Sequence, residues 1–153
     1  MNASELKVGR TFGVTFEHGD DFMSALASFC QDNNVRQGYI PMFLAGFSEV
    51  EIVGTCEKVK NPQMPMWTKV YLTNAEAMGC GTIARGEDAD TDILPHIHVS
   101  VGMKERAAQA NTSHLLSAKV QFLTEMLIVE VLGPEMTRLK DTRLYDVPLL
   151  NFR

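Results

Sequence analysis

The segment Pro95-His96-Ile97-His98-Val99-Ser100-Val101-Gly102 alternates polar and apolar residues. That period of two predicts a strand, because successive side chains of extended backbone point to opposite faces. His96, His98 and Ser100 then share one face, while Ile97, Val99 and Val101 share the other. Next-but-one residues on a strand face sit roughly 6.6–7 Å apart, near enough for two imidazoles to lean onto one ion. The chain holds four histidines, and a third, His114, opens the next apolar segment. These three residues make a candidate metal site in a chain with few other chemical signals.

Before this strand lies an acidic loop, Gly86 to Asp92, with Glu87, Asp88, Asp90 and Asp92. Ala75 to Ile83 is a small-residue strand in which Gly79 and Gly81 let backbones or a ligand approach closely. Trp67 to Leu72 is a further strand, and Glu57 to Met66, with Pro62 and Pro65, reads as a surface excursion. Gly38 to Phe47 is mostly apolar and reads as a buried strand, with Pro41 implying an edge or a bulge. Gly46 ends that run, and Val50 to Gly54 begins another strand. Phe22, Leu26 and Phe29, with Met23 and Cys30 beside them, fall on one face of an amphipathic helix of about three turns. Asp20 is placed to cap this helix, Asp21 suits its dipole, and Asn33-Asn34 stops it. Phe12, Val14 and Phe16 alternate in an opening strand.

After the histidine strand, Met103 to Thr112 is polar and reads as a loop or short helix. His114 to Leu132 is the longest apolar stretch, a bent strand or two consecutive ones. The tail from Gly133 to Arg153 reads as a strand laid along the surface. One helix and six to eight strands predict a single α+β domain over residues 1–153, with a mostly antiparallel sheet.

Composition narrows the function classes. With 153 residues, 45% hydrophobic and 22% charged, the chain suits one sizeable core and not a disordered segment. No apolar run approaches the ~20 residues of a membrane span. Met1 to Lys7 lacks a basic patch followed by an apolar stretch, so no secretory signal is expected. Cys30, Cys56 and Cys80 are widely spaced and odd in number, which suggests reduced thiols in the cytoplasm. The net charge is −5 and the Lys and Arg residues are scattered, so direct DNA binding by this chain alone is disfavoured.

Five ordered stretches carry a resemblance to a known family. Gly19 to Leu26 is similar to its helix-opening "GEDVLESL" signature, with Asp20-Asp21 where the family has Glu-Asp. Tyr39 to Val50 resembles the apolar strand and glycine turn that follow, and Gly79 to Ile83 an "LSGNIA"-like strand. Pro95 to Ser100 resembles "PHLHVSLS", and Ser113 to Leu116 resembles "GGHLL". Together, over roughly Val8 to Arg138, they resemble the PPC domain conserved between plants and prokaryotes, also known as domain of unknown function 296. The resemblance implies an α+β fold that assembles as a homotrimer. It also implies a bound divalent metal, usually zinc, at His96, His98 and His114. In plants the domain is joined to AT-hook segments that bind DNA, and no AT-hook is visible here. Asn111-Thr112-Ser113 stands where the family has glycines before the third histidine, which changes the local loop.

Strand histidines bonded to backbone or solvent are the ordinary alternative to a metal site. Three imidazoles leave a tetrahedral ion one open position, and imidazole suits zinc, nickel, copper or iron alike. His18 reads as a solvated loop residue, and the acidic run as a solvated turn that lacks the glycine and terminal glutamate of a calcium loop. Glu125 lies in the long apolar segment, where an unpaired carboxylate is costly. It is either a base near the metal or, preferably, a partner of Arg138 or Arg143. Two functions follow from these residues. The first is a metal-binding assembly or regulatory module that acts through protein partners or a small-molecule ligand. The alternative is an enzyme whose three-histidine ion activates water on a small-molecule substrate, with Glu125 as the catalytic candidate.

Overall fold

The elements follow in the order β1 (Lys7–Glu17), α1 (Phe22–Asp32), β2 (Gly38–Thr55), β3 (Trp67–Arg85), β4 (Ile93–Met103), β5 (Gln109–Gly133), β6 (Met136–Asp141) and β7 (Val147–Phe152). The computed structural model describes residues 3–55, 67–86, 93–144 and 147–153. The excursion at Glu57 to Met66, Cys56 and the acidic residues Glu87, Asp88, Asp90 and Asp92 lie outside the described residues. Among the described residues, no helix is long and apolar enough to cross a membrane.

β5 organises the sheet. One edge pairs with β2 along most of its length. The other edge pairs with β4 over its first part and with β1 over its last. Ladders β2–β3 and β3–β4 complete the circuit β5–β2–β3–β4–β5, so the strands close into a small antiparallel barrel. The fold is α+β, mostly antiparallel, with one helix. A single parallel contact, Arg85 against Thr137, attaches the β6–β7 hairpin to the end of β3.

Several expected breaks are absorbed inside continuous strands. Gly38–Phe47 and Val50–Gly54 are one strand, β2, which is central and not an edge. The ladders shift register around Pro41, the bulge that a residue without an N–H demands. Gly46 does not end the strand. A Cβ there would strike the Gln121 carbonyl oxygen, so the glycine lets β2 and β5 pass closely. Trp67–Leu72 and Ala75–Ile83 are likewise one strand, β3, with Asn74 at positive φ between them. β5 is a single bent strand, with Phe122 at φ 71° where its register with β2 slips. The polar stretch after β4 holds a 3-10 turn, Lys104–Arg106, and then Ala107 and Ala108 at positive φ before β5 begins.

The helix buries Phe22, Leu26 and Cys30, while Asp21, Ser24, Ser28 and Gln31 are exposed. Its cap is Asp21 and not Asp20: the Asp21 carboxylate accepts from the Ser24 N–H at 2.8 Å. Asp20 instead accepts from the Glu17 N–H. Asn33 caps the C-terminus and Asn34 follows at φ 53°, the left-handed conformation asparagine tolerates. Inside the barrel Phe22 packs on Phe16, Phe43 and Phe47, with ring centroids 5.5, 5.2 and 5.7 Å away.

Glu125 and the tail both lie differently from what the sequence pattern predicts. Glu125 is exposed, so its position carries no burial cost. Neither named arginine is its partner, because Arg143 binds Asp141, and Arg138 binds Thr82 and the Pro148 carbonyl. The buried carboxylate of β5 is Glu130, which accepts from Arg10 Nε at 2.8 Å and Nη2 at 2.7 Å. The tail is not merely laid on the surface either. Met136, Thr137 and Arg138 are buried, and Met136 forms a small second core with Ala84 and Val131. Buried Gln37 fixes where this hairpin starts, donating to the Pro134 carbonyl at 2.9 Å and accepting from the Met136 N–H at 2.8 Å.

Candidate metal centre

His96 and His98 lie on the outer face of β4, and register does the rest. β5 pairs with β4 so that His114 stands directly opposite His98. Directly opposite residues of an antiparallel pair have Cβ atoms roughly 4.5–5.5 Å apart, so the third ring joins the first two. Ring centroids are 5.1 Å apart for His96 and His98, 4.8 Å for His96 and His114, and 5.7 Å for His98 and His114. One nitrogen from each ring lies within 4.8 Å of the others. On the far side of β4, Thr82 stands opposite His96 and Cys80 opposite His98.

Glycine makes this strand pairing possible. A Cβ on Gly79 would sit 2.5 Å from the His98 carbonyl oxygen, and one on Gly81 would sit 2.6 Å from that of His96. These two glycines therefore serve close strand approach directly behind the site. No ligand contact is needed to account for them.

The donor set fits a divalent ion of borderline softness. Three imidazoles supply neutral nitrogen donors of the kind zinc accepts in centres that keep a fourth position open. His114 Nδ1 is buried and has no hydrogen-bond partner among the described residues, an orphan that coordination or a hydrogen bond must normally satisfy. Two of the rings, His96 and His114, are also biased toward the neutral form. Burial, then Arg138 and the two other imidazoles, push His96 down to about 4. Burial, then His98 and Arg138, lower His114 as well. A neutral ring needs no proton displaced before it binds metal.

The depressed His96 value predicts a pH effect in the metal-free protein. Its folded pKa lies below the ordinary 6.5, so between pH 6.5 and about 4 the unfolded chain binds the extra proton. Stability is therefore full above that window and declines as pH falls through it. The loss is on the order of 1 kcal/mol once solvent screening of a half-exposed ring is allowed for. Melting of chelator-treated protein across this range checks it. The wild type should lose more stability than His96→Asn, and parallel curves contradict the prediction.

Among the described residues, none of the others singled out in the sequence joins the cluster. His18 is exposed, and its Nδ1 accepts from the Phe122 N–H at 3.1 Å, which ties the turn before α1 to the bend in β5. Glu125 lies opposite Thr15 and Leu44, far along β5 from His114. From the sequence alone Arg138 stands out only as a partner for Glu125. In the fold it is buried beside the histidines, with its Nη2 bonded to Thr82 Oγ1. Its signal was a charged residue between Met136 and Leu139 in a strand-like tail, which points inward only once that tail is known to pack.

The profile of the Plants and Prokaryotes Conserved (PCC) domain matches residues 3–132 of this chain. Among solved structures, a plant- and prokaryote-conserved (PPC) protein of Pyrococcus horikoshii superposes with a TM-score of 0.81 at 19% identity, covering 100% of this chain and 99% of the other. A metal-containing protein of Archaeoglobus fulgidus gives a TM-score of 0.81 at 20% identity, covering 99% of each chain. A candidate DNA-binding protein of Bacteroides thetaiotaomicron gives 0.77 at 21% identity, covering 95% of this chain and 94% of the other. At such identities the likeness is one of fold. No curated protein matches the sequence.

Proposed function

The chain belongs to the Plants and Prokaryotes Conserved domain family, and from that membership we propose a metal-binding, homotrimeric assembly or regulatory module. One observation carries the reading: His96, His98 and His114 converge on one outer face of the barrel. They hold a divalent ion, zinc being the metal best suited to an all-imidazole set with an open fourth position. Bound there, the ion supplies a Lewis-acid position for a small ligand or a partner's side chain. Turnover at a water-bearing ion also needs a group to take the proton. Among the described residues no carboxylate joins the cluster, and Glu125 is exposed elsewhere, which favours binding over catalysis. The net charge of −5 favours partners other than the DNA backbone. Free Cys30 and Cys80 suit a reducing, cytoplasmic setting.

An apolar patch supports the trimer. Met42, Leu44, Met78 and Leu127 are each at least 40% exposed. They adjoin one another, since Met42 pairs with Leu127 and Leu44 with Met78. Large contiguous apolar patches on a soluble domain mark contact surfaces, and we assign this one to further copies of the same chain. Sedimentation equilibrium should give a mass near three 17.0 kDa chains. Leu44→Glu, which sets a charge in the patch beside Glu125, should shift it to monomer. A wild type that stays monomeric at all concentrations overturns the assembly. Metal analysis of zinc-reconstituted protein tests the ion: the expected result is one zinc per chain, and protein that stays metal-free after reconstitution overturns the reading.

A further inference from the structure

We propose that the three-histidine centre takes a small carboxylate, one oxygen on the ion's open position and the other against the Arg138 guanidinium. The inference rests on the metal reading above and adds the chemical class of the ligand.

Arg138 is 6% exposed, so its charge is removed from water. Ion pairs among the described residues are Arg10–Glu130, Lys69–Glu51, Arg85–Glu135 and Arg143–Asp141, and none includes Arg138. A buried cation without an anionic partner is unfavourable, and folds normally pair it. Among the described residues only neutral oxygens hold it: Nη2 donates to Thr82 Oγ1 and Nη1 to the Pro148 carbonyl at 3.3 Å. Nε has no partner among the described residues. Three of the five N–H donors are therefore uncommitted among the described residues.

Position makes this charge useful. Thr82 is the cross-strand neighbour of His96, so the guanidinium bonded to it lies against the histidine cluster. Its field reaches both His96 and His114 and opposes positive charge on either ring. A divalent ion on three neutral imidazoles adds two charges beside this one, and no protein anion joins them among the described residues. A carboxylate answers both poles at once. It brings a negative charge and two coplanar oxygens, matching one vacant metal position and one planar guanidinium.

Cobalt(II) reads the coordination through its visible bands. Metal-free protein is loaded with cobalt(II) and titrated with acetate, and separately with imidazole, a neutral ligand for the same position. Wild type should show a saturable acetate-dependent band shift. Arg138→Gln should weaken acetate roughly tenfold or more, the scale of a charge-assisted hydrogen bond, with imidazole affinity held within about threefold. Arg138→Lys, which keeps the charge, should retain most of the acetate affinity. If Arg138→Gln fails to fold, Thr82→Val serves in its place, since it frees the guanidinium and should weaken acetate selectively. Cobalt bands that ignore acetate, or acetate affinity equal in wild type and Arg138→Gln, overturn the carboxylate proposal alone. Failure to bind cobalt overturns the metal reading and the proposal with it.

Discussion

Replacing His98 or His114 by alanine is expected to lower the metal content from one ion per chain to a small residual fraction. Each ring contributes one of three nitrogens gathered within 4.8 Å, and no fourth His, Cys, Asp or Glu among the described residues joins them. The two imidazoles that remain in either variant bind a divalent ion far more weakly. Changes that merely touch a ligand's supporting hydrogen bonds cost ~10–100-fold in metal affinity, so loss of a ligand should exceed that. His18→Ala is the control, because this exposed ring bonds to the Phe122 amide and takes no part in the cluster. Elemental analysis after gel filtration checks all three variants. Full metal content in His98→Ala would remove the basis for the site.

Gly79→Val is expected to destabilise the fold and to weaken metal binding together. The new Cβ would lie 2.5 Å from the His98 carbonyl oxygen and 2.5 Å from Phe43 Cζ. Neither neighbour yields easily: the carbonyl belongs to the β3–β4 ladder, and Phe43 is fully buried with its ring 5.2 Å from Phe22. Overpacking of this kind costs about 3 kcal/mol or more, roughly 6–12 °C in melting temperature for a chain of this size. Relief requires β3 and β4 to separate, which displaces His98 from His114. Thermal melting and zinc affinity measured on one preparation check both halves. A stable variant with weakened zinc would place the role of Gly79 in the site and not in the fold, and an unchanged variant would contradict the packing account.

What could be read from the sequence follows from how local each signal is. The histidine face of β4 needs only the period of a strand, and His96 and His98 lie together as that period requires. Adding His114 needs a pairing register, which the family pattern supplied and local sequence did not. Apparent breaks mislead for the same reason. Pro41 and Gly46 look like ends of a strand, yet in β2 one forms a bulge and the other a close crossing, because partner strands on both sides carry the ladder past them. Glu125 and Glu130 illustrate phase. Alternation along β5 puts Thr124, Met126, Ile128 and Glu130 on one face, but only packing reveals that this face is the buried one. Arg138 was the least legible residue. Its place beside the histidines depends on Gln37, about a hundred positions earlier in the chain, anchoring the start of β6.

Anomalous diffraction from crystals of zinc-reconstituted protein, collected on either side of the zinc edge, tests the central claim most directly. The account predicts one peak per chain, bonded to a nitrogen of each of His96, His98 and His114 at about 2.0–2.1 Å, with a non-protein ligand in the fourth position. Fully reconstituted crystals with no peak among these three rings, or with the zinc held by other residues, would contradict it.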